Sequence, residues 1–322
     1  MAMAWSQAAI VLLGVLHALA AYAYFSRKRF ALLWACGWLA LAAAAAWALP
    51  VAPGGAAAAF ALAVLGWTAW WASLRALPRR QWVVENARQA TGSVRGRSLT
   101  LRDVRDFRWR SKNEFDARWE SEVHIDLDAL EAVDLFVCTW GDPRIAHLIV
   151  SFVVRGAPAI AFSIETRREQ DESWSALAGF MKAFELIIIA ARETDVVRVR
   201  TNLRRETVHR YRLVTTPRMR ARLLKQYVRE MNALARRPRY YNTLFANCTT
   251  EVARILRAAG RRLPWAWPLV ASGLVPRYFH RRGLIDCTRP FEALAAEADI
   301  GERVRNEGAG DDASDFSARI RA

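Results

Sequence analysis

Ala146-His147-Leu148-Ile149-Val150-Ser151-Phe152-Val153-Val154, then Arg155-Gly156-Ala157-Pro158, then Ala159-Ile160-Ala161-Phe162-Ser163-Ile164-Glu165-Thr166, sets the reading of this chain. Two apolar, β-branched runs flanking a short turn read as neighbouring antiparallel strands. Val133 to Trp140 on one side, and Val196 to Thr201 and Val208 to Val214 on the other, are further runs of the same kind. Ser173 to Arg192 is longer and reads as a helix that ends in a strand at Leu186 to Ala190. After Thr216-Pro217 the period changes. Met219, Leu223, Leu224, Tyr227, Met231 and Leu234 recur three and four residues apart, so Arg218 to Arg236 reads as an amphipathic helix. Strands followed by helices argue for an α+β domain. Asn86 to Asp116, charged and with short alternating pieces, reads as an entry strand and loop. Composition shifts abruptly at Pro78-Arg79-Arg80-Gln81-Trp82, and no Pro/Gly/Ser-rich linker or repeat divides the chain beyond that point. Residues 81–322 therefore read as one domain behind a distinct region, residues 1–80.

That first region is apolar. Ala8 to Phe25, Phe30 to Leu49 and Ala56 to Leu77 each reach the roughly 17–25 apolar residues that a bilayer crossing needs. No side chain before Ala8 is charged, which argues against a cleaved signal peptide and for a multi-pass anchor of three transmembrane helices. Arg27, Lys28 and Arg29 fill the first connector, Pro50 to Gly55 carries no charge, and Arg79-Arg80 follow the third span. By the positive-inside rule these charges put the first connector and everything after Leu77 in the cytoplasm.

The net charge is +16, from 47 Lys plus Arg against 31 Asp plus Glu. Such an excess suits nucleic acid or an anionic membrane surface. The basic residues are scattered and form no recognisable nucleic-acid module, so no nucleic acid is expected. For a tethered domain, anionic lipid headgroups are the plainer partner, beside the blander reading of arginines on solvated faces. The four cysteines, Cys36, Cys138, Cys248 and Cys287, have neither zinc nor disulfide-framework spacing. Cys138 reads as a small buried hydrophobe, and Cys287 as a free thiol or a partner of Cys138. No pattern points to a metal, nucleotide or flavin, so no cofactor is expected.

Chemistry concentrates at Tyr240-Tyr241-Asn242-Thr243-Leu244-Phe245-Ala246-Asn247-Cys248-Thr249-Thr250. The run Glu251 to Ala259 has helical spacing, which puts Cys248 at a helix N-terminus, where the dipole lowers a thiol's pKa. A thiol nucleophile needs a base. His147, at the start of an apolar strand and on one face with Ile149, Ser151 and Val153, is the best placed, although a lone strand histidine is more often structural. If Arg155-Gly156-Ala157 is a three-residue loop, constant register pairs His147 with Glu165; a two-residue loop brings Thr166 instead. Glu165 would then orient the imidazole, or merely pair with Arg167 or Arg168.

Four ordered segments support a resemblance: Ala146 to Phe152, Ala161-Phe162-Ser163-Ile164-Glu165-Thr166-Arg167, Val197-Arg198-Val199-Arg200-Thr201-Asn202, and Tyr241-Asn242 with Asn247-Cys248-Thr249-Thr250. Together, from about Asp103 to about Gly283, they resemble a bacterial membrane-associated family of Lnb-type lipoprotein N-acyltransferases. The terminal Asp315-Phe316-Ser317-Ala318-Arg319-Ile320-Arg321 also fits. The histidine-before-cysteine order is similar to circularly permuted NlpC-type papain-like enzymes, an antiparallel sheet with helices. The resemblance implies Cys248 as nucleophile, His147 as general base and an acyl chain of a lipoprotein or lipid moved through a Cys248 thioester, from an ester of a diacylglyceryl-modified lipoprotein to the lipoprotein's own N-terminal amine. In that mechanism the helix N-terminal amides near Cys248 and Thr249 serve as oxyanion donors, with Asn247 adding one, and Ser151, Ser163, Arg167, Tyr241 and Asn242 are expected to support the substrate, although a hydroxyl on a strand face is more often structural. The resemblance places the domain in the periplasm, anchored in the inner membrane, against the charge reading. Two other readings stand beside it: a papain-like hydrolase of cell-wall peptides or lipids, and a non-enzymatic membrane scaffold.

Overall fold

The computed structural model describes residues 2–25, 30–170, 172, 175–306 and 313–322. Arg27, Lys28 and Arg29, on which the charge reading of topology rests, lie outside the described residues, as does Ser173. The chain divides into two units. The first comprises residues 1–80 together with Arg168–Glu185 and Arg239–Thr243, and the second comprises the rest.

In the first unit, α1 (Ala2–Phe25), α2 (Ala31–Ala48) and α3 (Pro53–Ser73) are long and apolar enough to cross a membrane. α1 packs closely on α2 at Gly14, where an added Cβ would stand 2.2 Å from the Ala42 Cβ. Small residues let backbones approach where no hydrophobic drive between helices is available. α3 begins at Pro53, whose fixed φ suits the first helical turn, and ends at Ser73, short of the expected Leu77. Lys182 completes that end. Its Nζ donates to Trp71 O at 2.9 Å and Ala72 O at 3.3 Å, supplying donors to C-terminal carbonyls that a helix leaves unpaired. Among the described residues of Ser173 to Arg192, the α-helix is α4 (Ala176–Phe180).

The second unit is built on an eight-stranded sheet. Its strands are β1 (Thr91–Arg95), β2 (Ser98–Arg105), β5 (Trp119–Asp126), β6 (Leu130–Thr139), β7 (Ala146–Val154), β8 (Ala157–Arg167), β9 (Glu185–Arg192) and β10 (Thr207–Arg212), while β3 (Arg108–Trp109) and β4 (Phe115–Asp116) form a separate small ribbon. The order is β1-β2-β9-β8-β7-β6-β10, with β5 beside β2. β2 meets β9 in parallel, so the sheet is mixed where an antiparallel one was expected. Then come α5 (Glu193–Val196), α6 (Pro217–Arg236), α7 (Cys248–Ala258), α8 (Val275–Arg281), α9 (Phe291–Ala298), α10 (Gly301–Asn306) and α11 (Ala313–Arg319). On one face, α6 lays Tyr227 against Phe162 in a stack at 4.8 Å and edge-on to Phe152 at 5.9 Å. Elsewhere Phe136, Ile149, Ala161 and Ile187 share a cluster with Val304, Phe316 and Ile320.

Val196 to Thr201 is the clearest departure from the expected strands. It is helical, α5 running into a wide turn over Val199–Leu203 closed by Arg204 N to Val199 O at 2.8 Å. Periodicity cannot separate a short buried strand from a short buried helix. What decides the conformation is Asp195, fully buried, which accepts from Arg105 Nε at 2.7 Å and Nη2 at 3.0 Å, Phe107 N at 3.0 Å and Trp109 Nε1 at 2.8 Å.

The hairpin reaches the expected register by a different route. Its turn is the two residues Arg155-Gly156, with Gly156 at φ 69°, and Val154 pairs with Ala157. A bulge between Phe152 and Val154 then shifts the pairing by one residue, giving Phe152 with Ile160 and Ile149 with Ser163. This is the register that a three-residue loop predicts, and it aims Glu165, not Thr166, toward His147.

Arg105→Met removes a buried guanidinium and leaves Asp195 charged without its main partner, a change that costs about 3–5 kcal/mol. Urea unfolding of the detergent-solubilised full chain is expected to show that loss as an earlier midpoint with an unchanged slope.

Candidate active site

α7 begins where a polar turn gives way to an apolar period, and Asn247 fixes the start. Its side-chain oxygen accepts from Thr249 N at 2.9 Å and Thr250 N at 2.8 Å, while Asn247 N donates to Thr250 Oγ1 at 2.9 Å. This reciprocal capping box makes Cys248 the first residue of the helix, as expected, with its side chain half-buried. The cap also uses the Thr249 amide, expected as an oxyanion donor, and leaves the Cys248 N–H outside its network.

The sulfur sits against the start of β7. Sγ lies 3.9 Å from Ala146 O and 3.9 Å from Thr249 Oγ1, and the Leu148 amide also donates to it. Ala146 and Leu148 flank His147. Both backbone positions are open to the helix because the β7–β8 ladder stops at Ile149 with Ser163, although each strand continues beyond that pair. Ser272 Oγ takes the Ala146 N–H at 2.7 Å, and Gly273 N donates to Arg144 O at 3.0 Å. A Cβ on Gly273 would fall 1.9 Å from Pro143 O, so only glycine lets this turn close on the strand.

His147 is buried, and its Nε2 lies 2.7 Å from Ser163 Oγ, which donates to Glu165 Oε1 at 2.8 Å. Nε2 and Glu165 are 3.8 Å apart, too far for a direct bond, so Ser163 is the link between them. Glu165 is held ionised. Burial pushes its carboxyl up, but His147, Arg105, Arg200 and the Ser163 hydrogen bond together bring it well below the usual range. Burial, Arg200 and Arg204 outweigh Glu165 at His147 and lower the imidazole to about 3. Above that pH the ring is neutral, so the arginines and Ser163 are what keep Glu165 charged at neutral pH. A carboxylate can only accept, so the Ser163 proton points to Glu165, and Ser163 must accept from Nε2–H. The tautomer is thereby set. Nδ1 carries the lone pair, and no hydrogen bond to it occurs among the described residues.

Among the described residues no hydrogen bond joins Sγ to the imidazole, and the thiol departs from the expectation of a depressed pKa. Burial pushes it up against the pull of the Leu148 amide, Thr249 and Arg200. Desolvation outweighs the helix terminus here. Both the thiol and the imidazole are thus neutral at rest.

Ser151 and Arg167, expected in the pocket, have other partners. Ser151 is fully buried and donates to Glu193 Oε1 at 2.5 Å. Arg167 donates to Asn86 O at 2.9 Å and Ala87 O at 2.8 Å and lies over the Trp82 ring. Tyr241 and Asn242 fall in the first unit, where Tyr241 N donates to Phe184 O at 2.9 Å. Arg200, Glu206, Ser272 and Gly273 were not singled out from sequence. Arg200 pairs with Glu206 at 2.9 Å and stands 3.8 Å from Glu165; its motif, Val197 to Asn202, carries strand-like spacing but is a helical turn. Cys138, Cys248 and Cys287 are all free thiols, and burial pushes Cys138 up to about 12. Among the described residues no group of three or more His, Cys, Asp or Glu is placed to hold a metal ion.

Alkylation of Cys248 by iodoacetamide is expected to be slow near pH ~6 and to rise past the ordinary thiol value of about 8.5; fast labelling from about pH 5 would reveal a preformed thiolate–imidazolium pair instead. Acid acts on the fold through the same histidine. Its contribution is present above the unfolded value of 6.5 and is lost as pH falls from there toward about 3, since the unfolded chain takes up a proton that the folded one refuses.

No curated protein and no solved structure matches the chain. The family comparison does find a match, over a stretch that includes β5 to β10, α6, α7, His147, Ser163, Glu165 and Cys248, and it agrees with a periplasmic domain behind apolar helices. Residues 115–273 match the family described as Lnb N-terminal periplasmic domain, the family that the ordered motifs resemble.

Proposed function

We propose that this chain is a membrane-anchored, cysteine-dependent acyltransferase of the inner membrane, working on lipid and lipoprotein from the periplasmic side. The observation that carries the reading is the Cys248 sulfur seated on the backbone of Ala146 and Leu148, the two residues that flank His147, whose Nε2 is tied through Ser163 to an ionised Glu165. A helix that opens with cysteine and packs on the histidine's strand also favours a permuted papain-like arrangement.

In the first half-reaction Nδ1 of His147 takes the Cys248 proton as sulfur attacks an ester carbonyl of a diacylglyceryl group. The Cys248 N–H donates to the oxygen that gains charge. Collapse breaks the ester bond, and the imidazolium returns its proton to the departing glycerol oxygen, leaving a thioester and a lyso-lipid. In the second half-reaction a lipoprotein's N-terminal amine attacks the thioester, His147 takes the amine proton, and the proton returns to sulfur as the amide forms. Splitting the transfer in two lets one nucleophile serve both. Imidazolium forms only during each step, and the ionised Glu165, reached through Ser163, is there to receive its charge.

Mass spectrometry of lipoprotein N-termini in cells with and without the protein tests the reading. Cys248→Ala is expected to abolish the added acyl chain, His147→Ala to lower its formation roughly 10²–10⁴-fold, and Ser163→Ala to lower it less. Unchanged N-termini with accumulating lyso-lipid would instead indicate a hydrolase with the same dyad. If Cys248→Ala and His147→Ala leave both readouts at wild-type level, the chain is a scaffold.

A further inference from the structure

Three segments converge on the start of β7. Residues 140–146 lead into the strand, residues 245–248 bring Cys248 to Ala146, and residues 265–274 are pinned there by Ser272 and Gly273. Each carries large apolar side chains turned to the outside: Phe245 is 77% exposed, Trp265 66%, Trp267 63% and Ile145 51%, with Trp140 and Leu274 also exposed. Soluble surfaces rarely gather such residues without a partner. Elsewhere in this unit most large apolar side chains fill the core, so the concentration at one end of the sheet is specific to that end.

The chemistry around them selects the partner. From Arg261 to Val275 there is no acidic residue, and the one acid in residues 140–146, Asp142, is paired with Arg144. Arg262 is exposed and has no ion-pair partner among the described residues. Tryptophan with a flanking arginine is what suits the boundary between lipid headgroups and acyl chains. A chain with three helices apolar enough to cross a bilayer also keeps a lipid surface at high effective concentration.

We propose that the rim formed by Phe245, Trp265, Trp267, Ile145, Trp140 and Leu274 enters the interface of an anionic lipid bilayer. The proposal stands on the exposed side chains and does not require the acyltransferase reading. With that reading, it explains how an ester carried by a lipid reaches Cys248 without the lipid leaving the membrane.

The test uses the full chain in nanodiscs of phosphatidylethanolamine and phosphatidylglycerol. Cys36, Cys248 and Cys287 are replaced by alanine, and an environment-sensitive fluorophore is placed at Trp267→Cys, Phe245→Cys or, as control, Arg155→Cys at the opposite end of β7. Brominated lipids are expected to quench the first two probes and not the third. Probes at 267 and 245 that behave like the one at 155, including probes shielded from water yet unquenched by lipid, would overturn the proposal. In the chain with native cysteines, Trp265→Ser/Trp267→Ser is expected to keep iodoacetamide labelling of Cys248 and to lose labelling by a lipid-borne electrophile. Retention of both would also overturn it. Failure of iodoacetamide to label Cys248 in either chain would count against the nucleophile instead, and leave the quenching result standing.

Discussion

The site depends on a gap in a ladder. β7 and β8 pair up to Ile149 and Ser163 and then run on without pairing, so the backbone groups of Ala146 and Leu148 must find partners elsewhere. Buried peptide groups cannot be left orphaned cheaply. Ser272 takes one, and the Cys248 sulfur takes two. The helix is therefore docked by the strand's own unmet hydrogen-bonding needs, and the Cys248 sulfur and the histidine's backbone are held in one arrangement. A continuous ladder would have closed that space.

Charge follows the same economy. The candidate centre contains two neutral reactive groups, a thiol and an imidazole, surrounded by permanent charges in pairs: Arg105 with Asp195, Arg200 with Glu206, and Glu165 between Arg105 and Arg200. Burying an unpaired ion costs several kcal/mol, on the order of the whole stability margin of a domain. Here the ions compensate one another and the reactive groups stay uncharged at rest. Charge then develops only as a proton moves, which is when a pre-oriented carboxylate and dipoles are most useful.

Much of this was legible in the residues. Strand and helix periods located β6 to β8, β10 and α6 to within a few residues, and helical spacing after a polar turn located the start of α7. Residues marked by their own position on an element, such as Cys248 at a helix start and His147 at a strand start, are legible this way. Residues that act by meeting a distant side chain are not. Ser163 looked like pocket lining because a hydroxyl on a strand gives no sign of spanning a histidine and a glutamate. Arg200 hid in a β-branched run whose backbone is bent by the buried carboxylate of Asp195, and that carboxylate's own partner, Arg105, lies far away in the sequence. The bulge at Phe152 to Val154 was equally invisible, and an expectation about loop length arrived at the right register because the bulge made up the missing residue.

Arg321 reaches into the interior to pair with Asp134 and with Glu193, the latter also held by Ser151 and Ser317. Asp134 has Arg210 and Arg212 as well, but among the described residues Glu193 has no other arginine. Chains are made from the amino end, so during vectorial synthesis and translocation Glu193 emerges more than a hundred residues before its counter-ion. Until Arg321 arrives, Glu193 lacks the guanidinium that offsets the burial of its carboxylate. The ion pair that closes the fold around Glu193 therefore waits until Arg321 has been made.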